Sequence, residues 1–304
     1  YTIQWNVSLE QALGKSQAIT ASYVASHAAR LLQTNGFTSS NAINPVQVTS
    51  NGQTSDYNAL QIQFRRRLSN GLTALASYTW SHCLDYGSSN FLNGFERENC
   101  DFDVRHNFSS AFSYDVPNWG HSGIANGLLH HWGIDDRFSI RSAFPVDLLG
   151  TQVYNPATGQ RLSNGLNFTG APIYIYGADC SAKYAADFGS TLPCPGGRAI
   201  NPDAFTAAPA AGNVPRNFAR GFGAWQMDVA VRRVFPITER LKLQFRAEAF
   251  NVFNHPNFGT INGQFGQPTF GQATATLANS IGVLNPLYQT GGARSMQFAL
   301  KLMF

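Results

Sequence analysis

Apolar and polar residues alternate with a period of two along nine segments of this chain. This period is typical of β-strands, whose side chains point alternately to the two faces of a sheet. The chain is therefore predicted to be all-β, with strands at residues 1–10, 19–26, 60–65, 72–81, 107–116, 132–141, 225–232, 241–249 and 296–304. Asp136 falls out of phase in the sixth segment, which predicts a β-bulge at that position.

The connections between the predicted strands alternate between short and long. The short connections lie at residues 11–15, 69–71, 117–129 and 236–239, and the long connections lie at residues 29–56, 82–104, 142–223 and 252–293. The sequence Ser69-Asn70-Gly71 is typical of a tight hairpin turn. In an antiparallel sheet with up-and-down topology, this alternation places all the short turns at one end of the sheet and all the long loops at the other.

Short turns at one end, long loops at the other and strands of about ten residues are typical of bacterial outer-membrane barrels. On this interpretation the chain forms part of an antiparallel up-and-down transmembrane β-barrel of about nine strands, with short periplasmic turns and long extracellular loops. A soluble β-sandwich also alternates. However, its outer face is usually charged, whereas the polar face here is largely Ser, Thr, Asn and Gln.

The composition excludes several other classes of protein. Charged residues make up 12% and aromatic residues 13% of the 304 residues, which disfavours a disordered chain. The net charge of +4 includes no basic block, so nucleic acid is not an expected partner. No apolar run approaches the about 20 residues of a transmembrane helix. Since the chain begins at Tyr1 without a signal-peptide pattern, we expect either a processed protein or a piece of a longer one.

Six blocks of sequence point to a known family. They are "YTIQWNVSLEQALGKSQAITASYVASHAARLL", "YNALQIQFRRRLSNGLTALASYTWSHCLD", "CDFDVRHNFSSAFSYDVP", "NPDAFTAAPAAGNVPRN", "LKLQFRAEAFNVFNHPNFG" and the closing "FALKLMF". These blocks resemble the C-terminal barrel of Oar-like TonB-dependent outer-membrane transporters. The resemblance implies a barrel of about 22 strands filled by an N-terminal plug. Residues 1–304 would then be a C-terminal segment of that barrel, without the plug and the N-terminal domains. The odd strand number agrees with a segment, because single-chain bacterial barrels have even numbers of strands.

The resemblance also implies a location and partners. The protein is expected in the bacterial outer membrane, in contact with lipid, and a TonB complex would act through the plug to move an unknown solute or exported cargo. The alternatives are a structural or adhesive surface protein and a passive pore. The last strand resembles the signal that the barrel-assembly machinery reads, formed by Met296, Phe298, Leu300, Leu302 and Phe304.

The four cysteines fall into two close pairs, Cys83 with Cys100 and Cys180 with Cys194. No CxxC motif occurs, and the histidines are not spaced around the cysteines as they are in zinc sites. Two disulfides in an oxidising compartment are therefore expected, with free thiols as the alternative.

No catalytic motif stands out in the sequence. Gly14-Lys15-Ser16 resembles the end of a phosphate-binding loop, but Leu9 occupies the position at which that motif needs glycine. No enzyme activity, cofactor or metal is therefore predicted.

Two polar stretches are candidate binding sites. The stretch "ENCDFDVRHNF" contains Glu98, Asp101, Asp103, Arg105 and His106. We interpret it as a charged network at the barrel rim, with a cation site as the alternative. The stretch "FNVFNHPNFG" contains Asn251, Asn254, His255 and Asn257, and its residues are those that turns favour.

Five charged residues are predicted to face the barrel interior, where they would contact a plug or a solute or pair with neighbouring strands. They are Arg65, Arg232, Lys242, Arg246 and Glu248. If this part of the protein recognises a substrate, the long extracellular loop at residues 142–223 is the expected place, because loops on rigid scaffolds carry specificity.

Overall fold

A computed structural model describes residues 1–37, 46–86, 97–117, 130–150, 153–154, 161–163, 165–190, 193–208, 212–277 and 291–304. The helices are α1 (Gly177–Phe188) and two 3-10 helices, Pro195–Gly197 and Pro202–Ala204. The strands are β1 (Thr2–Leu13), β2 (Gln17–Phe37), β3 (Val46–Ser69), β4 (Leu72–Asp85), β5 (Glu98–Asn99), β6 (His106–Asp115), β7 (Trp132–Arg141), β8 (Pro145–Val146), β9 (Val153–Tyr154), β10 (Arg161–Ser163), β11 (Leu166–Phe168), β12 (Tyr174–Tyr176), β13 (Arg198–Ile200), β14 (Phe205–Ala207), β15 (Ala219–Arg220), β16 (Ala224–Pro236), β17 (Lys242–Phe250) and β18 (Ser295–Met303).

The main feature of the fold is one antiparallel sheet with up-and-down topology. Within the described residues its strand order is β1-β2-β3-β4-β6-β7-β16-β17-β18, and the short β5 pairs with β4 at the edge of a loop. Each strand in this order pairs with the next one along the chain, apart from the short strands that lie within the connections. The predicted all-β, antiparallel arrangement of about nine long strands is therefore confirmed.

The predicted bulge at Asp136 is wrong. Strand β7 pairs in continuous register with β6 on one side and with β16 on the other, and Asp136 lies opposite Phe112 and Val229. No extra residue is inserted, so Asp136 occupies an ordinary position on the apolar face. Its side chain is buried, because larger apolar residues surround it on the neighbouring strands.

The connections at one end of the sheet, which we call the short-turn end, are tight where the structure describes them. Asn70 and Gly71 both have positive φ angles, 52° and 76°, as a type I′ hairpin turn requires. A Cβ atom at Gly71 would lie 2.6 Å from the carbonyl oxygen of Asp115 on the neighbouring strand. Glycine is therefore needed there both for the turn and for the close approach of β6.

The first long connection differs from its prediction. Residues 29–56 were expected to form a loop, but β2 continues to Phe37 and β3 begins at Val46, so most of this segment is a hairpin. The two strands stay paired as far as Phe37 and Val46, with register shifts between Ala29 and Gln33. Only its tip, residues 38–45, lies outside the described residues.

The two faces of the sheet differ in chemistry. One face, the apolar face, carries aromatic and aliphatic residues on all nine strands, and many of them are exposed, such as Val7 (70%) and Leu300 (71%). The other face, the polar face, carries Ser, Thr, Gln and charged side chains. A soluble monomer rarely exposes so large an apolar surface, so the apolar face is suited to lipid.

At the other end of the sheet, the long-connection end, the described parts of residues 142–223 pack with residues 251–277 into a compact unit that we call the loop assembly. Its core contains buried apolar side chains from both connections, including Leu148, Leu166, Ile200, Phe205 and Phe270. Each such side chain stabilises the fold by about 1.5–3 kcal/mol when fully buried. Long connections of this kind can therefore hold a defined structure outside the sheet.

A second, smaller core lies beneath α1. The side chains of Cys180 and Tyr184, one turn apart on this helix, pack against Cys194 and Ala199. Gly189 ends the helix in the left-handed conformation, which is a common helix C-terminus. Among the residues that the structure describes, no helix has the length and apolar character needed to span a membrane.

Candidate functional site

The loop assembly is joined to the connection between β4 and β6 through the carboxylate of Asp103. Its side chain is only 1% exposed and accepts hydrogen bonds from Arg220, from the backbone N–H of Cys83 at 2.8 Å and, at 3.3 Å, from the His82 ring. Arg105 forms a salt bridge with it at 2.8 Å. Since Arg220 belongs to the loop assembly and Arg105 to the neighbouring connection, Asp103 joins two loops that are far apart in sequence.

These contacts set the charge of Asp103. Burial opposes ionisation of the carboxyl group, but the hydrogen bonds from Arg220, the Cys83 N–H and His82, together with the charge of Arg105, outweigh burial and lower the pKa of Asp103 below its ordinary value. Asp103 is therefore a carboxylate at neutral pH, and its charge contributes to the attachment of the loop assembly.

A second group of contacts lies beside the first. Arg216 forms salt bridges with Asp85 and, at 2.7 Å, with Asp101. The side-chain amide of Asn217 donates hydrogen bonds to the carbonyl oxygen of Asn99 at 2.7 Å and to Asp101 at 2.8 Å. Together with the contacts of Asp103, these interactions form what we call the loop clamp. Arg216 and Asn217 end the block "NPDAFTAAPAAGNVPRN", and Arg220 follows it. That block carries the family resemblance, but nothing in the sequence pairs these residues with Asp85, Asp101 and Asp103.

The stretch "ENCDFDVRHNF" thus lies in a charged network at the long-connection end of the sheet. This placement agrees with the rim network that its sequence suggests. Within the described residues, no group of three or more His, Cys, Asp or Glu side chains is arranged to hold a metal ion.

Two disulfides brace the same region. Cys83 is bonded to Cys100 across the base of one connection, and Cys180 is bonded to Cys194 within the loop assembly. The second bond attaches α1 to the segment that follows it. Each bond closes a short loop, which restricts the unfolded chain and stabilises the local fold.

Tyr184 joins α1 to both connections of the loop assembly. Its buried hydroxyl donates to the carbonyl oxygens of Ile200, at 3.2 Å, and Phe270. Burial raises the pKa of the Tyr184 hydroxyl, and the charge of Asp187 raises it further. The hydroxyl therefore stays protonated and keeps its role as a donor.

The polar face of the sheet carries a network of ion pairs centred on Asp135. Its carboxylate pairs with Arg232 of β16 at 3.3 Å and with Arg246 of β17. Arg232 also pairs with Asp115 of β6 at 2.7 Å, and Arg246 pairs with Glu248 at 2.6 Å. The network therefore crosses four neighbouring strands, β6, β7, β16 and β17.

The other two residues predicted to face the interior lie on the same polar face, away from this network. Arg65 of β3 lies 3.8 Å from Glu10 of β1, and both side chains are exposed. Lys242 begins β17 near the short-turn end and lies opposite Met303.

The last strand lies at one edge of the sheet. β18 pairs with β17 from Lys242–Met303 to Phe250–Ser295. The residues of the predicted assembly signal share the apolar face and are exposed, from 51% for Leu302 to 94% for Phe304.

The asparagine-rich stretch after β17 holds the final long connection in place. Asn251 and Asn254 have positive φ angles of 50°, which agrees with the turn expected from the sequence. The Asn251 side chain donates to the carbonyl oxygens of His255 and Gly292. Asn257 is fully buried and exchanges two hydrogen bonds with the backbone of Trp225. These polar residues have structural partners, which the sequence alone did not reveal.

Two clefts adjoin the junction of the sheet and the loop assembly. The outer cleft, of about 290 Å³, is mainly apolar and lies within the loop assembly, with walls that include Phe144, Val146, Phe222, Phe258, Ile261 and Leu277. The inner cleft, of about 350 Å³, lies on the polar face, with walls that include Tyr57, Gln61, Thr79, Ser81, Phe102 and Asn107. Arg141, the last residue of β7, lines both clefts.

Comparison with known proteins gives one match to a protein family. The family is described as "Outer membrane beta barrel domain", and it matches residues 1–297. No curated protein matches the chain.

Several solved structures are similar to the chain at low sequence identity. They include the pyoverdine receptor FpvA of Pseudomonas aeruginosa, with a TM-score of 0.49 and 11% identity over 99% of this chain and 27% of that one. YddB of Escherichia coli has a TM-score of 0.47 and 11% identity over 99% of this chain and 32% of its own. FrpB of Neisseria meningitidis has a TM-score of 0.46 and 13% identity over 99% of this chain and 31% of its own. The chain thus spans about a third or less of these proteins.

Proposed function

Because this chain belongs to the family of outer membrane beta barrel domains, we propose that it forms the C-terminal part of the barrel wall, with its outer loops, of a TonB-dependent receptor. Family membership places the protein in the bacterial outer membrane and among membrane barrels rather than enzymes. The sequence blocks that resemble Oar-like transporters support the more specific assignment.

The observation that carries the proposal is the open, two-faced sheet. Within the described residues, β1 and β18 each pair on one side only. An unpaired strand edge is very unfavourable in lipid, since its N–H and C=O groups have no partners. Further strands of the full-length protein would complete the barrel, and a barrel much wider than nine strands would have room for a plug.

The polar face supports the same proposal. The ion pairs of Asp135, Arg232 and Arg246 would lie in the barrel interior, where polar side chains can contact a plug, a solute or water. A TonB complex would act on the plug and so admit a solute or release an exported cargo. The assembly machinery would read the exposed apolar residues of β18, because an open edge strand is suited to pairing with another protein.

The test is a comparison of strains. Spent growth medium would be profiled by mass spectrometry for four strains: wild type, a deletion of the full-length gene, a strain without an active TonB complex, and the double mutant. The expected result is that the same compounds change in the gene deletion and in the TonB mutant, with no further change in the double mutant. A gene-deletion effect that persists at full size in the TonB mutant would contradict energised transport and indicate a passive pore.

The loop assembly favours one alternative function. Its apolar cores and its disulfide between Cys180 and Cys194 form a rigid outer surface, which would also suit a surface protein that binds other cells or matrix. In that case deletion of the gene would leave the medium profile unchanged, both with and without an active TonB complex, and cells that lack the gene would attach less to surfaces.

A further inference from the structure

Arg141 lies where the sheet meets the loop assembly. As the last residue of β7 it lies on the polar face, opposite Asn107 of β6 and Ala224 of β16. Its guanidinium carbon is 4.1 Å from the centre of the Phe144 ring, and Nη1 donates one hydrogen bond to the carbonyl oxygen of Ser142 at 3.1 Å. A guanidinium group has five N–H donors, so the residues that the structure describes leave most of the donors of Arg141 available.

The charge balance of Arg141 differs from that of the partly buried arginines in the loop clamp and in the polar-face network. Those arginines all pair with carboxylates: Arg105, Arg216, Arg220, Arg232 and Arg246. In the part of the chain that the structure describes, Arg141 is half-buried and forms no salt bridge. Since arginine keeps its charge in proteins and a partly buried charge is costly without a partner, this position is suited to an anion from outside the chain.

The two clefts on either side of Arg141 indicate what kind of anion fits. The outer cleft supplies the rings of Phe144, Phe222 and Phe258, which suit an apolar or aromatic group. The inner cleft supplies hydroxyl and amide groups, including those of Gln61 and Asn107, which suit a polar group. A ligand that fills both clefts passes the guanidinium group of Arg141.

The charge of the ligand is limited by the single guanidinium group in the cleft walls. Arg141 is the one cation among the lining residues that the structure describes, and the carboxylate of Asp103 in the inner cleft is already paired with Arg105 and Arg220. A doubly charged phosphate would therefore be balanced only in part by Arg141. A single carboxylate is balanced by one guanidinium group, whose fork matches its two oxygens.

We propose that Arg141 binds the carboxylate of an amphiphilic ligand whose apolar part occupies the outer cleft and whose polar part extends into the inner cleft. This inference deepens the proposed function, on which it rests: the ligand is the solute on its way through the receptor. Arg141 then determines specificity by selecting the charged end of the solute, and the aromatic walls select the apolar end.

The site can be tested with a photoreactive aromatic carboxylate, para-benzoylbenzoate, and its neutral amide, para-benzoylbenzamide. Outer membranes that contain the full-length protein would be irradiated with each probe, and the modified peptides would be identified by mass spectrometry. The expected result is that the carboxylate labels residues 142–148, 221–223 or 258–261, and that the amide labels them roughly 10- to 100-fold less. That range corresponds to the contribution of a charge-assisted hydrogen bond.

Three variants test whether labelling depends on Arg141 and on the space of the outer cleft, and not merely on the positive charge of this face of β7. Arg141→Gln should reduce labelling by the carboxylate to the level of the amide. Arg137→Gln should leave labelling unchanged, because Arg137 has the same charge on the same face of β7 but lines neither cleft. Gly221→Leu should also reduce labelling, since a Cβ atom at Gly221 makes only ordinary contacts, the nearest at 3.5 Å, while the rest of the leucine side chain fills the outer cleft. Heat-modifiable migration on gels would show that each variant has folded.

The inference is overturned if the carboxylate and the amide label the folded wild-type protein equally, if neither labels the clefts, or if Arg141→Gln leaves labelling unchanged. Labelling in isolated membranes needs no TonB energy. Absence of charge-dependent labelling therefore contradicts only the proposed carboxylate site. TonB-independent changes in the medium contradict only the proposed transport and do not affect the labelling result.

Discussion

Replacing Asp103 with asparagine should weaken the loop clamp while keeping a side chain of nearly the same size at this position. Asparagine has nearly the shape of aspartate, and its oxygen can still accept the hydrogen bond from the Cys83 N–H. What is lost is the negative charge between Arg105 and Arg220. The substitution thus tests whether one buried charge holds the loop assembly to the neighbouring connection.

The structure sets the size of the effect. Removing one partner of a buried ion pair typically costs about 3–5 kcal/mol. Here the carboxylate is 1% exposed, but the side chains of Arg105 and Arg220 are 35% and 26% exposed, so water partly solvates the charges that are left behind. We therefore expect about 2–3 kcal/mol, which corresponds to a roughly 30- to 160-fold larger equilibrium constant for local opening.

Hydrogen exchange of the full-length protein in detergent, followed by mass spectrometry, measures this opening. Peptides that cover residues 97–105 and 212–222 should exchange faster in Asp103→Asn by about that factor. A matched control is Asp203→Asn, because the Asp203 side chain is 63% exposed and pairs with Lys183 at the surface. Such a pair contributes only about 0.2–1 kcal/mol, so this variant should change exchange by less than about fivefold.

Two outcomes would refute this reasoning. If residues 97–105 exchange faster while residues 212–222 keep their wild-type rate, Asp103 stabilises its own connection but does not hold the loop assembly. If Asp103→Asn and Asp203→Asn change exchange equally, burial of the carboxylate has no energetic consequence.

Four further predictions concern the loop clamp, the loop assembly and the last strand. The contribution of Asp103 to stability is complete above the ordinary aspartate pKa of 3.8, and it is lost as the pH falls through the lower pKa of the folded state. In the wild-type protein, pepsin should therefore cleave residues 97–105 increasingly below about pH 4. Cleavage that does not increase would contradict this prediction. Tyr184→Phe removes the donor to Ile200 and Phe270 and should cost about 1–2 kcal/mol, visible as faster hydrogen exchange in α1; unchanged exchange would exclude a role for the hydroxyl. Phe304→Ala should lower the fraction of heat-modifiable protein in outer membranes severalfold, whereas Lys301→Ala on the polar face should not; equal fractions would refute the assembly signal. Replacing residues 150–215 with a short Gly-Ser linker should abolish TonB-dependent depletion of the solute from the medium while the barrel still folds; unchanged depletion would place recognition elsewhere.

The sheet was predictable wherever one face is apolar and the other polar. In β1, β4, β17 and β18 this contrast extends over most of the strand, so period-two alternation identifies each strand. The outer part of β3 was missed, because residues 49–56 carry no apolar side chain and so show no period-two contrast. The outer part of β2 was missed because the pairs Ala28-Ala29 and Leu31-Leu32 break the alternation.

The loop assembly was much less predictable. Its contacts join residues that are far apart in sequence, such as Asp103 with Arg220 and Tyr184 with Phe270. Local patterns do not contain such pairings. Helix α1 did leave a weak signal, since Cys180 and Tyr184 are spaced by one helical turn. The bulge expected at Asp136 shows the opposite error, because a polar residue on an apolar face can simply be covered by its larger neighbours.

The hairpin of β2 and β3 has a consequence for how the cell surface meets its surroundings. A strand of 21 residues is about 70 Å long at about 3.3 Å per residue, and a tilt of about 45° leaves a height of roughly 50 Å. The hydrocarbon layer takes up only about 25 Å of that height. The remainder projects among the sugar chains of the outer leaflet. Phages, toxins and antibodies would contact this hairpin before they reach the outer opening of the barrel.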